Sequence, residues 1–307
     1  MKILLISHTD LDGISCNLLL DLADIKYDYY NVEVSEVSDT LNEVLENLET
    51  QYDQIYITDL TVSEDDYKRL QESGIKYHVF DHHHTHLYAK NFKNATVKVN
   101  AFNHLTCGTE LFYNHLKDLY PQINTSLIAS YVELVRQIDT YTMESNNPRD
   151  LGTLLFTYGK STFLKKMKTR LKKDKETFTF TDFEKRYLKI KNAEFDSYCL
   201  RKEKELLFYE IKGYKCGVIF CENTDKSELG HRLSKKHPEL DLIILINSSK
   251  SISYRTERDD IDVSKFASYF GGGGHIKASG SDFTNENRED IIKLYFKDVK
   301  RLEIETN

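Results

Sequence analysis

The sequence predicts an α/β fold built on a doubly wound, mostly parallel β-sheet. Short apolar runs with β-branched residues alternate with segments of helical periodicity in the first half of the chain, a pattern typical of parallel strands joined by crossover helices. Three of these runs end at polar residues, and open α/β sheets place their sites at the carboxyl ends of strands. The predicted strands are Lys2–Ser7, Gln54–Thr58 and Lys76–Phe80, and the predicted helices are Ile14–Ala23, Ser38–Leu48, Ser63–Glu72, Gly108–Leu119 and Ser126–Ile138.

The bounds of these elements follow from local signals. A polar, Gly-containing turn after Ser7 ends the first strand and leads into an apolar segment with helical spacing. The helix that begins near Ser63 has an acidic first turn and is stopped by Gly74. Carboxylates in the first turn are favoured by the helix dipole, and glycine is a common helix terminator.

The second half predicts a charged connector followed by a smaller α/β unit. From about Gly159 to Lys204 the chain is charged and helical, and it carries a basic run at residues 165–173. We interpret this run as a solvated helix face or a connector, with contact to a nucleotide backbone as the alternative. The second unit is predicted to contain strands Tyr214–Phe220, Leu240–Ile246 and Ile252–Arg255 and a helix Glu228–Lys236.

Composition narrows the classes of function. The 307 residues have a net charge of −7, whereas proteins that coat long nucleic acids usually present a basic surface. Small anionic substrates remain compatible, since bound metals and a few local cations can neutralise one or two phosphates. The five cysteines contain no CxxC pair, and neither a signal-peptide core nor a membrane span is present. We therefore expect a cytoplasmic protein that does not enter the membrane.

Four groups of residues could hold metal ions. The first is the motif His8-Thr9-Asp10-Leu11-Asp12-Gly13, for which a structural loop with an Asp N-cap is the alternative. The second is Asp59, which alone would be a common cap or turn residue. The third is Asp81-His82-His83-His84-Thr85-His86; we assign functional roles to His82 and His83 and orienting or surface roles to His84 and His86. The fourth is Asp139, at the unfavourable C-terminal end of a predicted helix.

Together these residues predict a centre for two metals. His8, Asp10, Asp12, Asp59, His82 and Asp139 supply six ligands, enough for two cations that share one bridging carboxylate. Two cations ~3.5–4 Å apart would clamp the attacking and leaving oxygens of a phosphate and activate water. The sequence has neither a G-x-S-x-G elbow nor a papain-like cysteine context for a covalent nucleophile. The dinucleotide-binding fingerprint and the P-loop are absent near the first strand. Hydrolysis by water is therefore the expected chemistry.

A glycine-rich stretch near the C-terminus is a candidate anion site. Gly271, Gly272, Gly273 and Gly274 precede His275, and consecutive backbone N–H groups can line a phosphate concavity. A flexible loop is the alternative. Arg255 could bind a phosphate through two donors, or could form a surface salt bridge.

These motifs together resemble the DHH phosphoesterase superfamily, in particular the members with a DHHA1-type C-terminal domain. The resemblance covers residues 8 to 280 and includes Gly271-Gly272-Gly273-Gly274-His275-Ile276-Lys277-Ala278-Ser279-Gly280. It implies a catalytic DHH domain at 1–185, a helical linker at 186–209 and a substrate-binding domain at 210–307 that faces the first across a cleft. It also implies two divalent metals, most often Mn²⁺, with Mg²⁺ and Co²⁺ as alternatives.

The resemblance further implies roles for individual residues. His8, Asp10, Asp59 and Asp139 would hold one metal, and Asp12, Asp59 and His82 the other. His83 would contact the scissile phosphate, and Arg255, Gly272–Gly274 and His275 would bind the substrate. The chain looks closest to the compact oligoribonuclease-like (nano-RNase) members.

The expected activity is hydrolysis of short oligonucleotides or small nucleotides, including dinucleotides and 3′-phosphoadenosine 5′-phosphate. Three alternatives stay open: a RecJ-like single-strand exonuclease, a family II-like inorganic pyrophosphatase and a non-catalytic nucleotide-binding protein. Oligomeric state is also open, with a homodimer as one option.

Overall fold

The computed structural model describes residues 1–46, 52–140, 142, 149–222, 226–247 and 251–295. The chain divides into two compact units, Met1–Asn192 and Ala193–Asn307. The predicted boundaries of the domains and of the linker at 186–209 remain predictions. Among the helices of the described ranges, none is both long and apolar enough to cross a lipid bilayer.

The first unit is built on a five-stranded sheet with helices on both faces. Its strands and helices, in chain order, are β1 (Ile3–Ser7), α1 (Leu11–Leu22), β2 (Tyr27–Asn31), α2 (Val37–Glu46), β3 (Gln54–Thr58), α3 (Glu64–Glu72), β4 (Lys76–Asp81), β5 (Ala95–Val97), β6 (Asn100–Ala101), β7 (His104–Leu105), α4 (Gly108–Leu119), α5 (Ser126–Asp139), α6 (Asp150–Tyr158) and α7 (Lys160–Leu171). The next helix, α8 (Asp182–Glu203), begins in the first unit and ends in the second. Three short 3₁₀ segments connect them, at Val34–Glu36, His84–Asn91 and Pro121–Ile123. The predicted helix Ser38–Leu48 corresponds to α2, and its last two residues lie outside the described ranges.

All neighbouring strands of this sheet are parallel, in the order β2-β1-β3-β4-β5. The mostly parallel sheet predicted from the sequence is confirmed. The direction in which strands are added reverses between β1 and β3, and such switch points open a crevice at the carboxyl ends of the two strands. The residues that follow β1 and β3 are therefore brought to one place.

Strand side chains alternate between two hydrophobic cores, one on each face of the sheet. Ile3 and Leu5 pack with α1, α4 and α5, whereas Leu4 and Ile6 pack with α2 and α3. Both faces of β1 are thus buried, which is why its sequence reads as a continuous apolar run. Edge strand β2 has largely exposed residues and lacks this signal, so the sequence did not predict it.

The second unit contains a six-stranded mixed sheet. After α8 its elements are β8 (Leu207–Ile211), β9 (Tyr214–Phe220), α9 (Lys226–Lys236), β10 (Leu242–Asn247), β11 (Ser251–Arg255), α10 (Val263–Ser268), β12 (Gly273–Gly274), β13 (Ala278–Asp282) and α11 (Asn285–Tyr295). The order is β12-β13-β11-β10-β9-β8, and only β9 and β10 pair in parallel. The predicted strands and the helix of this unit are present, with β10 starting at Leu242 instead of Leu240.

The basic run lies on α7, where acidic partners hold several of its side chains. Lys168 and Lys172 lie near the carboxylate of Asp24, at 3.5 and 2.8 Å. Arg170 donates two hydrogen bonds to Glu184, at 2.7 and 2.8 Å. These contacts join α7 to neighbouring elements, which favours the structural interpretation of this part of the run.

Candidate metal centre

The turn after β1 brings three candidate ligands to the switch point. Helix α1 begins at Leu11, three residues earlier than predicted, and Asp10 is its N-cap, with Oδ1 accepting from the Gly13 N–H at 3.0 Å. The turn requires glycine at position 13, because a Cβ there would lie 2.3 Å from the His8 carbonyl oxygen. His8 and Asp10 precede the helix, and Asp12 lies in its first turn.

Asp59 follows β3 in an unusual backbone conformation. Its φ of 56° lies in the left-handed region, which Asp tolerates better than most residues. The Asp59 N–H donates to the Phe80 carbonyl at 2.8 Å, so neighbouring strand β4 fixes this conformation. The buried carboxylate is thereby turned toward the residues that follow β1 and β4.

β4 ends at Asp81, which orients the histidines that follow it. The fully buried Asp81 carboxylate accepts from the backbone N–H groups of His82 and His83. Its Oδ1 lies 2.7 Å from Nδ1 of His83, and its Oδ2 lies 2.5 Å from Nδ1 of His86. His84 is exposed. Asp81 therefore fixes the His83 ring, a role that the sequence analysis did not assign to it.

Two helices complete the site. Asp139 is the last residue of α5. At the start of α4, the N–H groups of Gly108 and Thr109 donate to the Asp12 carboxylate at 2.6 and 2.8 Å. A Cβ at Gly108 would lie 2.8 Å from Asp59 Cβ and 2.9 Å from Asp12 Oδ2. Sequence reasoning missed both residues; the only signal was a glycine at the predicted start of a helix.

The six predicted ligands come together as two groups of three. In the first, His8 Nδ1 lies 3.0 Å from Asp10 Oδ2 and 3.6 Å from Asp59 Oδ2. In the second, His82 Nε2 lies 3.9 Å from Asp12 Oδ2 and 3.5 Å from Asp139 Oδ2.

Asp59 links the two groups, since its other oxygen, Oδ1, lies 3.3 Å from His82 Nε2. Asp139 lies with Asp12 and His82, whereas the resemblance placed it with His8 and Asp10.

Burial and mutual repulsion perturb the carboxylates. Burial, together with the charges of Asp59 and Asp139, raises the pKa of Asp12 well above its usual range. Burial and the Asp59 charge likewise raise the pKa of Asp139 to about 6, although His82 opposes this. Burial also disfavours ionisation of Asp59, but the neighbouring rings of His8 and His82 outweigh it and hold its pKa below the usual range.

The two histidines show the reverse effect. Burial would lower the pKa of His8, but the carboxylates of Asp10 and Asp59 outweigh it and raise that pKa above the ordinary value. The pKa of His82 is raised in the same way, chiefly by Asp139 and Asp59. The carboxylates thus stabilise the protonated, positively charged forms of both histidines, and bound cations would be favoured at the cluster for the same reason.

This donor set fits divalent cations. Oδ2 of Asp59 and Oδ2 of Asp139 are buried atoms without a hydrogen-bond partner among the described residues. Burying a carboxylate oxygen without a hydrogen-bond donor is energetically unfavourable, and a bound cation can stabilise such an oxygen. Mixed imidazole and carboxylate donors suit Mn²⁺, Co²⁺ or Zn²⁺.

The predicted substrate-binding residues lie in the second unit. Arg255, on β11, is opposite Ala278 of β13, and its guanidinium donates to the carbonyl oxygens of Tyr254 and Ser279 and to the Ser227 hydroxyl. A Cβ at Gly230 would lie 2.6 Å from Arg255 Cγ, so the arginine packs against a position without a side chain.

The glycine-rich stretch is an ordered hairpin. Gly273–Gly274 forms β12, which pairs with β13. A Cβ at Gly272 would lie 2.1 Å from the Gly280 carbonyl oxygen, and Gly274 has a φ of 138°. His275 closes the turn by donating its N–H to the Ala278 carbonyl at 2.8 Å. Gly272 and Gly274 are thus needed for close backbone packing, whereas the flexible-loop alternative finds no support here.

Comparison with known proteins now identifies the family. The chain is 35% identical over 306 residues to oligoribonuclease NrnB of Bacillus subtilis, with 95% of this chain and 76% of that protein aligned. The chain belongs to the DHH phosphoesterases. This DHH phosphoesterase is also 23% identical to a 3′,5′-cyclic-nucleotide phosphodiesterase of Helicobacter pylori, over 91% of this chain and 92% of that protein.

One solved structure is similar to this chain in fold. CDC45 from Entamoeba histolytica superposes with a TM-score of 0.52 at 10% identity and covers 96% of this DHH phosphoesterase and 95% of that chain, a likeness of fold alone. No protein-family model matches the sequence, and the DHHA1 assignment of the second unit remains a prediction.

Proposed function

We propose that this DHH phosphoesterase is a phosphodiesterase that hydrolyses short oligonucleotides with the help of two divalent cations, most often Mn²⁺. One observation carries the proposal: the two oxygens of the buried Asp59 carboxylate belong to two different groups of candidate ligands. A carboxylate in this position is suited to bridge two cations. When bound, such cations neutralise charge on the phosphate and make water a better nucleophile.

The groups proposed for the two cations are His8, Asp10 and Asp59 on one side and Asp12, Asp59, His82 and Asp139 on the other. Gly108 and Thr109 would orient Asp12, because their N–H groups hold both of its oxygens. Supporting contacts of this kind fix the direction of metal ligands.

His83 is proposed to contact the scissile phosphate. Its Nδ1 lies 2.7 Å from Asp81, which fixes that nitrogen as the one that donates to the carboxylate. Nε2 is then the ring nitrogen through which His83 would meet a phosphate oxygen. In the second unit, Arg255, His275 and the N–H groups of Gly272–Gly274 are proposed to bind the remainder of the substrate.

The proposed substrate class rests on charge and on the named relatives. A net charge of −7 is unfavourable for holding long nucleic acid, and one relative is an oligoribonuclease. A compact cluster of metal ligands with a few added cations is sufficient for substrates with one or two phosphates. Dinucleotides meet this limit, and the oligoribonuclease relative favours RNA that is short but somewhat longer, so RNAs of two to five nucleotides are the proposed substrates.

Mn²⁺-dependent turnover across a substrate panel tests the proposal. The panel contains RNA of two to five nucleotides, linear and cyclic dinucleotides, 3′-phosphoadenosine 5′-phosphate, pyrophosphate and long single-stranded DNA. We expect the highest kcat/KM on the short RNAs. Preference for pyrophosphate would instead indicate a family II-like pyrophosphatase, preference for long DNA a RecJ-like exonuclease, and binding without turnover a non-catalytic nucleotide-binding protein.

An Asp59→Asn variant tests the bridging carboxylate directly. Asparagine preserves the shape of the side chain but offers one acceptor oxygen without charge. We expect turnover to fall by about 10²-fold or more, and the stoichiometry of bound Mn²⁺, measured by electron paramagnetic resonance, to fall from two to one or fewer. Asp39→Asn, on the exposed face of α2, is the matched control. Full activity of the Asp59→Asn variant would refute the bridging role.

A further inference from the structure

Asn31, the last residue of edge strand β2, connects a lysine to the candidate metal centre. β2 pairs with β1 in parallel register, with Asn31 opposite Ser7, so Asn31 lies at the same end of the sheet as His8. The Asn31 side-chain N–H donates to the His8 carbonyl at 2.8 Å. The Lys160 ammonium, at the start of α7, donates to the side-chain oxygen of the same asparagine.

Tyr29 supports the lysine from a second direction. The Lys160 Nζ atom lies 3.8 Å from the centroid of the Tyr29 ring, within the range of a cation–π interaction. The tyrosine side of this pair reaches solvent, since 50% of Tyr29 is exposed. Two neutral partners therefore hold the ammonium in one place, and Lys160 itself is partly exposed, so a ligand can reach it.

The charge of Lys160 has no counter-ion among the residues that the structure describes. No carboxylate in these ranges forms an ion pair with it, although Lys168 of the same helix and Lys172 at its C-cap both pair with Asp24. Burial lowers the pKa of Lys160 to about 8, so the amine remains mostly protonated at pH 7. A partly desolvated cation without a counter-ion gains more from an anionic ligand than a hydrated surface lysine does.

We propose that Lys160 binds a non-scissile phosphate of the oligonucleotide, with Tyr29 and Asn31 holding its ammonium in place. This inference rests on the proposed function and adds a substrate-binding position to it. The phosphate could be a terminal 5′-phosphate or a second internucleotide phosphate, which share the same chemistry. Lys160 discriminates between substrates by the number of phosphates that they carry.

Three substrates separate these possibilities. A dinucleoside monophosphate has only the scissile phosphate, its 5′-phosphorylated form adds a terminal phosphate, and a trinucleoside diphosphate adds an internucleotide one. We expect Lys160→Met to raise KM about 10- to 100-fold, the effect of one charge-assisted hydrogen bond, for at least one of the two larger substrates. The substrate that shows the rise identifies the phosphate, and kcat and the KM of the monophosphate stay unchanged.

Two further variants make the test specific. Lys160→Arg keeps the charge and should recover most of the affinity. Lys166→Met is the matched control, because Lys166 lies on the same helix over another tyrosine ring, that of Tyr158, at 4.9 Å, and is exposed. It should leave every KM unchanged. An unchanged KM for both larger substrates in Lys160→Met, or an equal rise for all three substrates, would overturn the proposal.

A binding measurement keeps this test independent of turnover. Calorimetry in Ca²⁺ compares the affinity of the 5′-phosphorylated dinucleotide and of the trinucleotide for the wild-type protein and for Lys160→Met. If the wild-type protein binds either substrate more tightly than Lys160→Met does, but hydrolyses neither substrate in Mn²⁺, the phosphate site is supported and the proposed catalytic function is refuted. If turnover is normal and neither affinity differs, the catalytic function stands and the phosphate site fails.

Discussion

Substitution of Gly108 by alanine should disable the candidate metal centre although it adds only one methyl group. Gly108 is the first residue of α4 and packs directly against the two acidic residues at the centre of the site. A Cβ there would lie 2.8 Å from Asp59 Cβ, 2.9 Å from Asp59 Cα and 2.9 Å from Asp12 Oδ2. Ordinary contacts begin near 3.4 Å, so the helix and Asp59 must separate by about 0.6 Å (3.4 − 2.8).

Moving α4 and Asp59 apart would weaken hydrogen bonds on both sides of the contact. The Asp59 backbone is held in a left-handed conformation by a 2.8 Å hydrogen bond to Phe80, and moving α4 would lengthen the bonds that Gly108 and Thr109 donate to Asp12. Overpacking of this kind costs about 1–3 kcal/mol, against a gain of up to about 1 kcal/mol from the higher helix propensity of alanine. The net expectation is destabilisation by about 0–3 kcal/mol, with a central value of about 1.5 kcal/mol. Displaced ligands should lower kcat by about 10²-fold.

Urea denaturation of the metal-free protein and turnover at saturating Mn²⁺ measure the two effects. Gly152→Ala is the matched control, since Gly152 lies within α6 and, apart from its own helix, a Cβ there would meet no described heavy atom within 4 Å. Alanine at position 152 should leave activity unchanged and stabilise the protein by up to about 1 kcal/mol. If Gly108→Ala behaves like Gly152→Ala in both assays, the packing argument is refuted.

Three further substitutions test other parts of the structure. Asp81→Asn leaves one acceptor for the two histidine rings that now share the carboxylate, so kcat should fall about 10- to 100-fold; unchanged kcat in a steady-state assay would contradict the orienting role. Burial and the neighbouring charge of His115 lower the pKa of His78 to about 4. Protonation of His78 therefore favours the unfolded state, so the free energy of unfolding of the protein falls by roughly 1–2 kcal/mol between about pH 6.5 and 4, after allowance for the partial exposure of the ring. His78→Gln should flatten that part of the pH–stability curve measured by urea denaturation, and an unaltered slope would refute this. Gly230→Ala should displace Arg255 and raise KM for oligonucleotides with little change in kcat, whereas an unchanged KM would argue against a substrate role for Arg255.

Much of the first unit could be predicted because its signals are local. β1 and β3 are buried on both faces and contain short apolar runs, β4 is mostly buried, and the parallel arrangement follows from their alternation with helices. Several of the strands missed by the sequence analysis, β2 among them, are edge strands or short pairs without such a pattern. The interior strand β13 was also missed, because its residues Ala278–Asp282 are small and polar and form no apolar run. Their formation depends on hydrogen bonds to a neighbouring strand, which sequence periodicity does not report.

Some features of the candidate metal centre could likewise be predicted from the sequence, whereas others could not. The sequence by itself determined that His8, Asp59 and His82 would meet, because residues that follow adjacent parallel strands share one edge of a sheet. Tertiary structure decided which oxygen of Asp59 faces which histidine, that Asp139 lies with Asp12 and His82, and that Gly108 leaves room for both acidic residues. Those features depend on how helices α4 and α5 pack against the sheet. Packing of that kind is set by the sum of many long-range contacts, so it has no signature in any single segment of the chain.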